Sequence, residues 1–314
     1  MISFARRRRD SRRSRLGFPL PSTDLLLLMM SMIWGVNFTV IKTALDDFSP
    51  LSFNAVRFLI ASTALYLFFR HRQSSFTIQR EHLGSLIGLG ILANTIYQVA
   101  FIEGVARSRA GNAALILATT PIFVALLSAV RGHERLDLRS VVGVLLSFTG
   151  IALIMGDKVR EIAFGQTLFG DLLLLLATLC WAIYTVGLKR FTLQYGAVQS
   201  TVVTMIAGTV PLVMISLPSL QAQSWAAIRP IAWAALLFSA LGAIVFCFVV
   251  WNYGVERLGG TRTAVYSNVS PIIAMIAAGI GLNERPTPGQ LVGAAVILLG
   301  LYLVRAREEV EITT

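Results

Sequence analysis

The chain has 314 residues, of which 55% are hydrophobic and only 14% charged, against a charged share of roughly 25% in soluble globular domains. Apolar runs of about 20 residues recur along its length, which a soluble core does not need and bilayer hydrocarbon does. The net charge of +11 does not imply a nucleic-acid partner. Much of it sits in one tail (Arg6 to Arg9, Arg12, Arg13 and Arg15), and most of the rest flanks apolar segments, as membrane topology requires.

Residues 1–22 form a basic tail. Its Ser11-Arg12-Arg13-Ser14-Arg15-Leu16 run resembles a twin-arginine export signal. The following stretch from Leu25 to Ala44, however, is long enough to span, lacks an Ala-x-Ala cleavage pattern and is succeeded by further spans, so an uncleaved first helix is expected. Apolar runs between charged or Pro/Gly-bearing breaks predict spans at 24–44, 50–70, 83–103, 110–130, 138–156, 168–189, 197–217, 231–252, 262–282 and 289–305. An even count puts both termini on one side. The basic tail, with Arg70, Arg72, Arg80, Arg131, Arg135, Lys189, Arg190, Arg257 and Arg262 beside the loops after even-numbered spans, predicts that side to be the cytoplasm.

Taken in order, span 1 carries Trp34 and, one turn on, Asn37 on the same face. Span 2 contains Arg57, roughly 10 Å along the helix from its start. An arginine at that depth must face the interior or snorkel. Two outcomes are open for it: a structural ion pair with Glu103 near the outer end of span 3, or contact with an anionic group of a substrate. Span 3 offers Asn94, Tyr97 and Gln98, with Tyr97 near mid-span. Pro121 in span 4 and Pro271 in span 9 each remove a helix hydrogen bond and are expected to kink their helices. Span 6 repeats the motif of span 1 with Trp181 and Tyr184. Spans 8 and 9 add Trp251, Asn252, Tyr266, Ser267, Asn268 and Ser270. Polar groups at membrane depth turn inward, toward one another or toward a ligand, and the sequence leaves both open. Gly143, Gly150, Gly293 and Gly300, at seven-residue spacing on spans 5 and 10, are expected to pack helices closely.

An internal repeat organises these spans. A shift of 147 places Asp24, Trp34 and Lys42 on Asp171, Trp181 and Lys189, while a shift of 150 places Gly104, Arg107, Pro121 and Glu134 on Gly254, Arg257, Pro271 and Glu284. Each copy holds five spans, and because five is odd the second copy enters the membrane from the opposite side. The expected fold is therefore an all-α polytopic membrane protein, ten transmembrane helices in two inverted five-helix repeats. Its parts are a first repeat at 23–156, a connecting loop at 157–167, a second repeat at 168–306 and a short cytoplasmic tail at 307–314. Inverted repeats place a site near the midplane at their interface, where rocking of one half on the other gives alternating access.

The residues also carry a family resemblance. Trp34-Gly35-Val36-Asn37-Phe38, Lys42, Pro50 and Arg57-Phe58 resemble the opening of an EamA-type repeat of the drug/metabolite transporter superfamily. Asn283-Glu284-Arg285-Pro286 with Gln290, Gly293, Gly300 and Tyr302 is similar to the end of such a repeat, and Glu134-Arg135 with Gly143 and Gly150 closes the first copy comparably. The resemblance covers roughly residues 23 to 306 and implies ten helices, a central cavity lined by both halves, and export or exchange of small solutes. One departure is that Thr204 stands in the second copy where the first has Arg57.

Among functions, an intramembrane enzyme or a lipid-binding receptor is disfavoured. The acidic residues fall in tails, loops or near span ends, so no mid-membrane proton relay is expected. The histidines His71, His82 and His133 lie in loops without metal-ligand spacing, and neither a metal nor a cofactor is expected. Cys180 and Cys247 lie inside apolar runs and imply no disulfide. The expected function is that of a permease or exporter in a bacterial cytoplasmic membrane, carrying a small metabolite such as an amino acid, with export of drugs or toxic analogues as the rival. Its partners are the small-molecule substrate and the lipid bilayer. Candidate substrate contacts are Trp34, Asn37, Tyr97, Trp181, Tyr184, Tyr266 and Asn268.

Overall fold

A computed structural model describes residues 23–72, 77–130, 166–283 and 285–305, together with residues 138, 142, 143, 145, 146, 149, 150 and 153. The described chain is helical throughout. Helix α1 spans Thr23–Ala44, α2 Pro50–Arg72, α3 Arg80–Arg107, α4 Ala110–Leu117 and α5 Thr120–Val130. Helix α6 follows at Gln166–Tyr195, α7 at Ala197–Ala222, α8 at Pro230–Leu258, α9 at Gly260–Tyr266, α10 at Ser270–Gly281 and α11 at Pro288–Arg305.

Six of these, α1, α2, α3, α6, α7 and α8, are long and apolar enough to cross a membrane. Their surfaces reverse the pattern of a soluble helix, in which polar residues face out. On α7 the buried side carries Gln199, Ser200, Thr201, Thr204, Thr209 and Ser216, while Ile206, Val210 and Met214 are exposed. On α2, Ser52, Asn54, Arg57 and Ser62 are buried and Leu59, Leu67 and Phe68 exposed. Such a helix is stable where the exterior is hydrocarbon and polar groups satisfy one another inside.

Expected spans 4 and 9 are broken helices. Both prolines fall at the second residue of a new helix, Pro121 in α5 and Pro271 in α10, where a missing N–H costs little. Each proline thus follows directly on an interruption of the regular α-helix. Thr119 and Thr120 hydroxyls donate to the carbonyls of Ile116 and Leu117 at 2.6 Å and bridge the first break. A 3-10 turn at Ser267–Val269 bridges the second. The tails, most of expected span 5 and most of the 157–167 loop lie outside the described residues, although Gly150 is placed against Gly293.

Helices from the two sequence halves pack on each other throughout. Helix α1 lies against α8 and α10, α2 against α7 and α8, and α3 against α6 and α7. The α3–α7 crossing depends on glycine at two positions. A Cβ on Gly208 would stand 2.2 Å from the Gly90 carbonyl oxygen, and one on Gly90 would stand 2.4 Å from that of Thr204. At this approach Asn94 Nδ2 donates to the Thr204 carbonyl (3.0 Å) and the Thr95 hydroxyl to that of Gly208 (2.7 Å). Both donors lie in a stretch of wide π-helical turns, Leu92–Ile96, and α8 has a longer one at Phe238–Phe246. A shift of 150 residues superposes the first stretch on the end of the second, and such turns redirect the side chains that follow them.

Candidate functional site

The wide turns lead the next residues of α3 and α8 into one shared cavity. From the first sequence half it is lined by Trp34, Asn37 and Phe38 of α1, Arg57 of α2, Tyr97, Gln98 and Phe101 of α3, and residues around the α4–α5 break. From the second half come Trp181 of α6, Ala243, Ile244, Phe248 and Trp251 of α8, Ser267 and Ser270. Equivalent positions of the repeat both line it: Trp34 and Trp181, Gln98 and Phe248, and Phe101 and Trp251.

Aromatic rings dominate the wall. Trp181 is its hub, with ring centroids 4.9 Å from Phe248, 5.1 Å from Tyr97 and from Tyr184, 5.6 Å from Trp251 and 6.2 Å from Trp34. Trp34 in turn is 5.4 Å from Trp251, and Tyr97 stacks on Phe101 at 5.6 Å. These separations lie in the favourable range for aromatic pairs, so the rings hold one another in place. The indole N–H groups of Trp34 and Trp251 are already engaged, donating to the Ala243 carbonyl (2.9 Å) and the Thr185 hydroxyl (3.3 Å). Trp34 and Trp251 thus offer ring surface to the cavity, with their donors spent.

Polar groups are few and specific. Asn37 is buried, and its Oδ1 has no hydrogen-bond partner among the described residues. Arg57, 2% exposed, donates from Nη1 to the Ser239 hydroxyl (2.9 Å) and from Nη2 to Asn54 Oδ1 (2.6 Å) and Gln98 Oε1 (3.0 Å). The expected ion pair of Arg57 with Glu103 is not formed. Glu103 binds Arg107 one turn further along α3 instead. The i, i+4 partner was close in sequence, and it leaves Arg57 to bond inward while Glu103 stays near the helix end.

Four of the expected substrate contacts, Trp34, Asn37, Tyr97 and Trp181, meet in the cavity. Tyr184 and Tyr266 do not line it. Tyr184 lies beneath Trp181, its hydroxyl accepting from Asn252 Nδ2 (3.1 Å) and 3.3 Å from the Thr204 hydroxyl. Asn252 also donates to Thr201 (2.6 Å). This neutral cluster stands where the repeat places Thr201 and Thr204 on Asn54 and Arg57. Tyr266 bonds Asp24 at the N-terminal end of α1, and its carbonyl accepts from Ser31. Asn268 falls in the Ser267–Val269 turn, and its side chain is outside the described residues. Phe38, Phe101 and Phe248 were not legible as site residues, because an apolar ring in an apolar run carries no signal of which way it faces.

A profile of the EamA-like transporter family matches residues 21–156 and again 168–306. The chain belongs to the EamA-like transporter family. An uncharacterized transporter of Archaeoglobus fulgidus is 31% identical, over 91% of this chain and 98% of its own length. Similar at lower identity are a probable amino-acid metabolite efflux pump of Escherichia coli (26%, over 89% and 93% of the two chains) and a probable terminal-alkyne amino-acid exporter of Streptantibioticus cattleyicolor (27%, over 90% and 92%). A solved crystal structure superposes with a TM-score of 0.66 at 17% identity, covering 91% of this chain and 96% of that one, and shows the likeness of fold. The EamA assignment and the apolar helices together make this a multi-pass membrane transporter.

Proposed function

We propose that this EamA transporter carries a small metabolite, an amino acid or a close derivative, through the aromatic cavity by alternating access. The observation that carries this reading is that the cavity wall is shared: helices of both sequence halves supply it, at repeat-equivalent positions. Movement of one half against the other then opens the site to one side and closes it to the other. Trp34, Trp181 and Tyr97 contact the solute through their rings, and Asn37 through its carboxamide. The named relatives that export amino acids or their metabolites support this solute class.

The full architecture we infer is ten spans in two inverted five-helix repeats, at 23–156 and 168–306, with both termini cytoplasmic in a bacterial inner membrane. The repeated family match and the equivalent cavity positions support it. Sealed vesicles containing the purified chain test the function. Saturable flux of a radiolabelled amino acid or derivative, chemically unchanged and above that of protein-free vesicles, is the expected result. Absence of flux across a panel of such solutes would refute the reading. Labelling of repeat-equivalent loops from opposite faces tests the topology, and accessibility from the same face would refute inversion.

A further inference from the structure

The cavity wall contains a cation that no described residue neutralises. A guanidinium stays protonated in proteins and has five N–H donors. In Arg57 the engaged donors all meet neutral oxygens, of Ser239, Asn54 and Gln98. Its Nε is buried with no partner. Its other neighbours are rings: Phe53, Phe58 and Phe101 have centroids 5.3, 5.7 and 5.7 Å from the guanidinium carbon. Among the described residues, Arg57 takes part in no ion pair and no acidic side chain lines the cavity. Glu103, the nearest sequence candidate, is committed to Arg107.

A buried charge without a counter-charge is costly, and rings and amides compensate it only in part. A chain that keeps such a charge on the wall of its binding cavity gains most from a ligand that brings the opposite one. The remaining wall defines the rest of that ligand. Trp34, Trp181, Trp251 and Tyr97 present ring faces suited to a flat apolar body. Asn37 Oδ1, buried and unpartnered, accepts one N–H or O–H. An ammonium, by contrast, meets no carboxylate among the described residues of the wall and must exchange its hydration for ring faces and neutral oxygens.

We propose that the preferred solute is a net monoanion, an aromatic carboxylate, whose carboxylate accepts from Arg57 while its ring lies against Trp34, Trp181 and Tyr97. The inference rests on the carrier reading and narrows it: within the family of amino-acid derivatives, deaminated acids are favoured over zwitterions.

The test uses the purified chain in phosphatidylcholine vesicles, with tryptophan fluorescence reporting on the wall. It compares 3-phenylpropionate, 3-phenylpropionamide and phenylalanine, which share a ring and differ in charge. The acid is expected to quench saturably, and the neutral amide to bind at least about 10-fold more weakly, the scale of one lost charge-assisted hydrogen bond. Phenylalanine is expected to fall below the acid. Arg57→Gln should abolish the advantage of acid over amide, and Arg57→Lys should retain part of it. Equal binding of acid and amide by the wild type, tighter binding of phenylalanine than of the acid, or no saturable quenching by the acid each overturns the proposal, without reliance on any variant's folding. Flux in the same vesicles separates the two levels. Acid binding without flux refutes the carrier reading alone, whereas equal flux of acid and amide refutes only the anion preference.

Discussion

Gly208→Ala tests the crossing on which the interlocked halves depend. The added methyl would lie 2.2 Å from the Gly90 carbonyl oxygen and 2.5 Å from Asn94 Cβ, where ordinary contact begins at 3.4 Å. Helices α3 and α7 must therefore part by about 1 Å, and backbone cannot yield as a flexible side chain can. Overpacking of this kind costs about 1–3 kcal/mol. The displacement also stretches the bonds of Asn94 and Thr95 to α7, each worth about 0.6 kcal/mol in a membrane protein. The expected loss is thus about 2–4 kcal/mol, read by equilibrium unfolding in mixed micelles with tryptophan fluorescence. Gly84→Ala on the same α3 provides the control, because a Cβ there meets nothing within 4 Å and the exchange favours a helix by roughly 0.5–1 kcal/mol. If Gly208→Ala proves as stable as Gly84→Ala, α3 and α7 do not cross as described.

Trp181→Ala removes a ring that touches five others and should lower flux per molecule at matched membrane abundance, with a stability loss of about 3–5 kcal/mol from the cavity left behind. Trp181→Phe should recover most of the stability, and unchanged flux in both variants would remove Trp181 from the site. In the α1–α2 loop, Asp47 accepts hydrogen bonds from the side chain and backbone of Arg229, which hold its carboxyl below the ordinary carboxylate range. A carboxyl lowered on folding stabilises above its unfolded pKa and loses that contribution as pH falls through the folded value. Thermal stability should therefore be insensitive to Asp47 between pH 5 and 8 and fall in acid below about pH 4, the unperturbed aspartate value. Asp47→Asn should flatten that part of the acid limb, and an unchanged pH profile would show that the Asp47–Arg229 contact does not form.

Hydrophobic run length alone marked the six long apolar helices, because a run that crosses hydrocarbon must match its thickness. Hence α1, α2 and α3 begin and end within a few residues of the expected spans. The prolines of spans 4 and 9 were visible too, and the helix is interrupted just before each; that the Thr119 and Thr120 hydroxyls bond the Ile116 and Leu117 carbonyls at the first break was not legible. The paired tryptophans pointed to the cavity because polar-tipped rings at mid-depth are rare enough to carry information. Phe38, Phe101 and Phe248 did not, since a phenylalanine costs the same against lipid or cavity.

Arg57 marks the boundary between the two kinds of knowledge. Its charge and depth in the chain require that it turn inward. Its partners could be settled only by packing, because Glu103 is equally reachable from Arg107 by one helical turn, and Asn54, Gln98 and Ser239 come from three different helices. Sequence by itself marked the long apolar helices and the pattern that occurs twice along the chain. Tertiary structure decided which side chains face one another across the bundle, because in hydrocarbon the hydrophobic effect no longer sorts inside from outside, and close contact and polar pairing do.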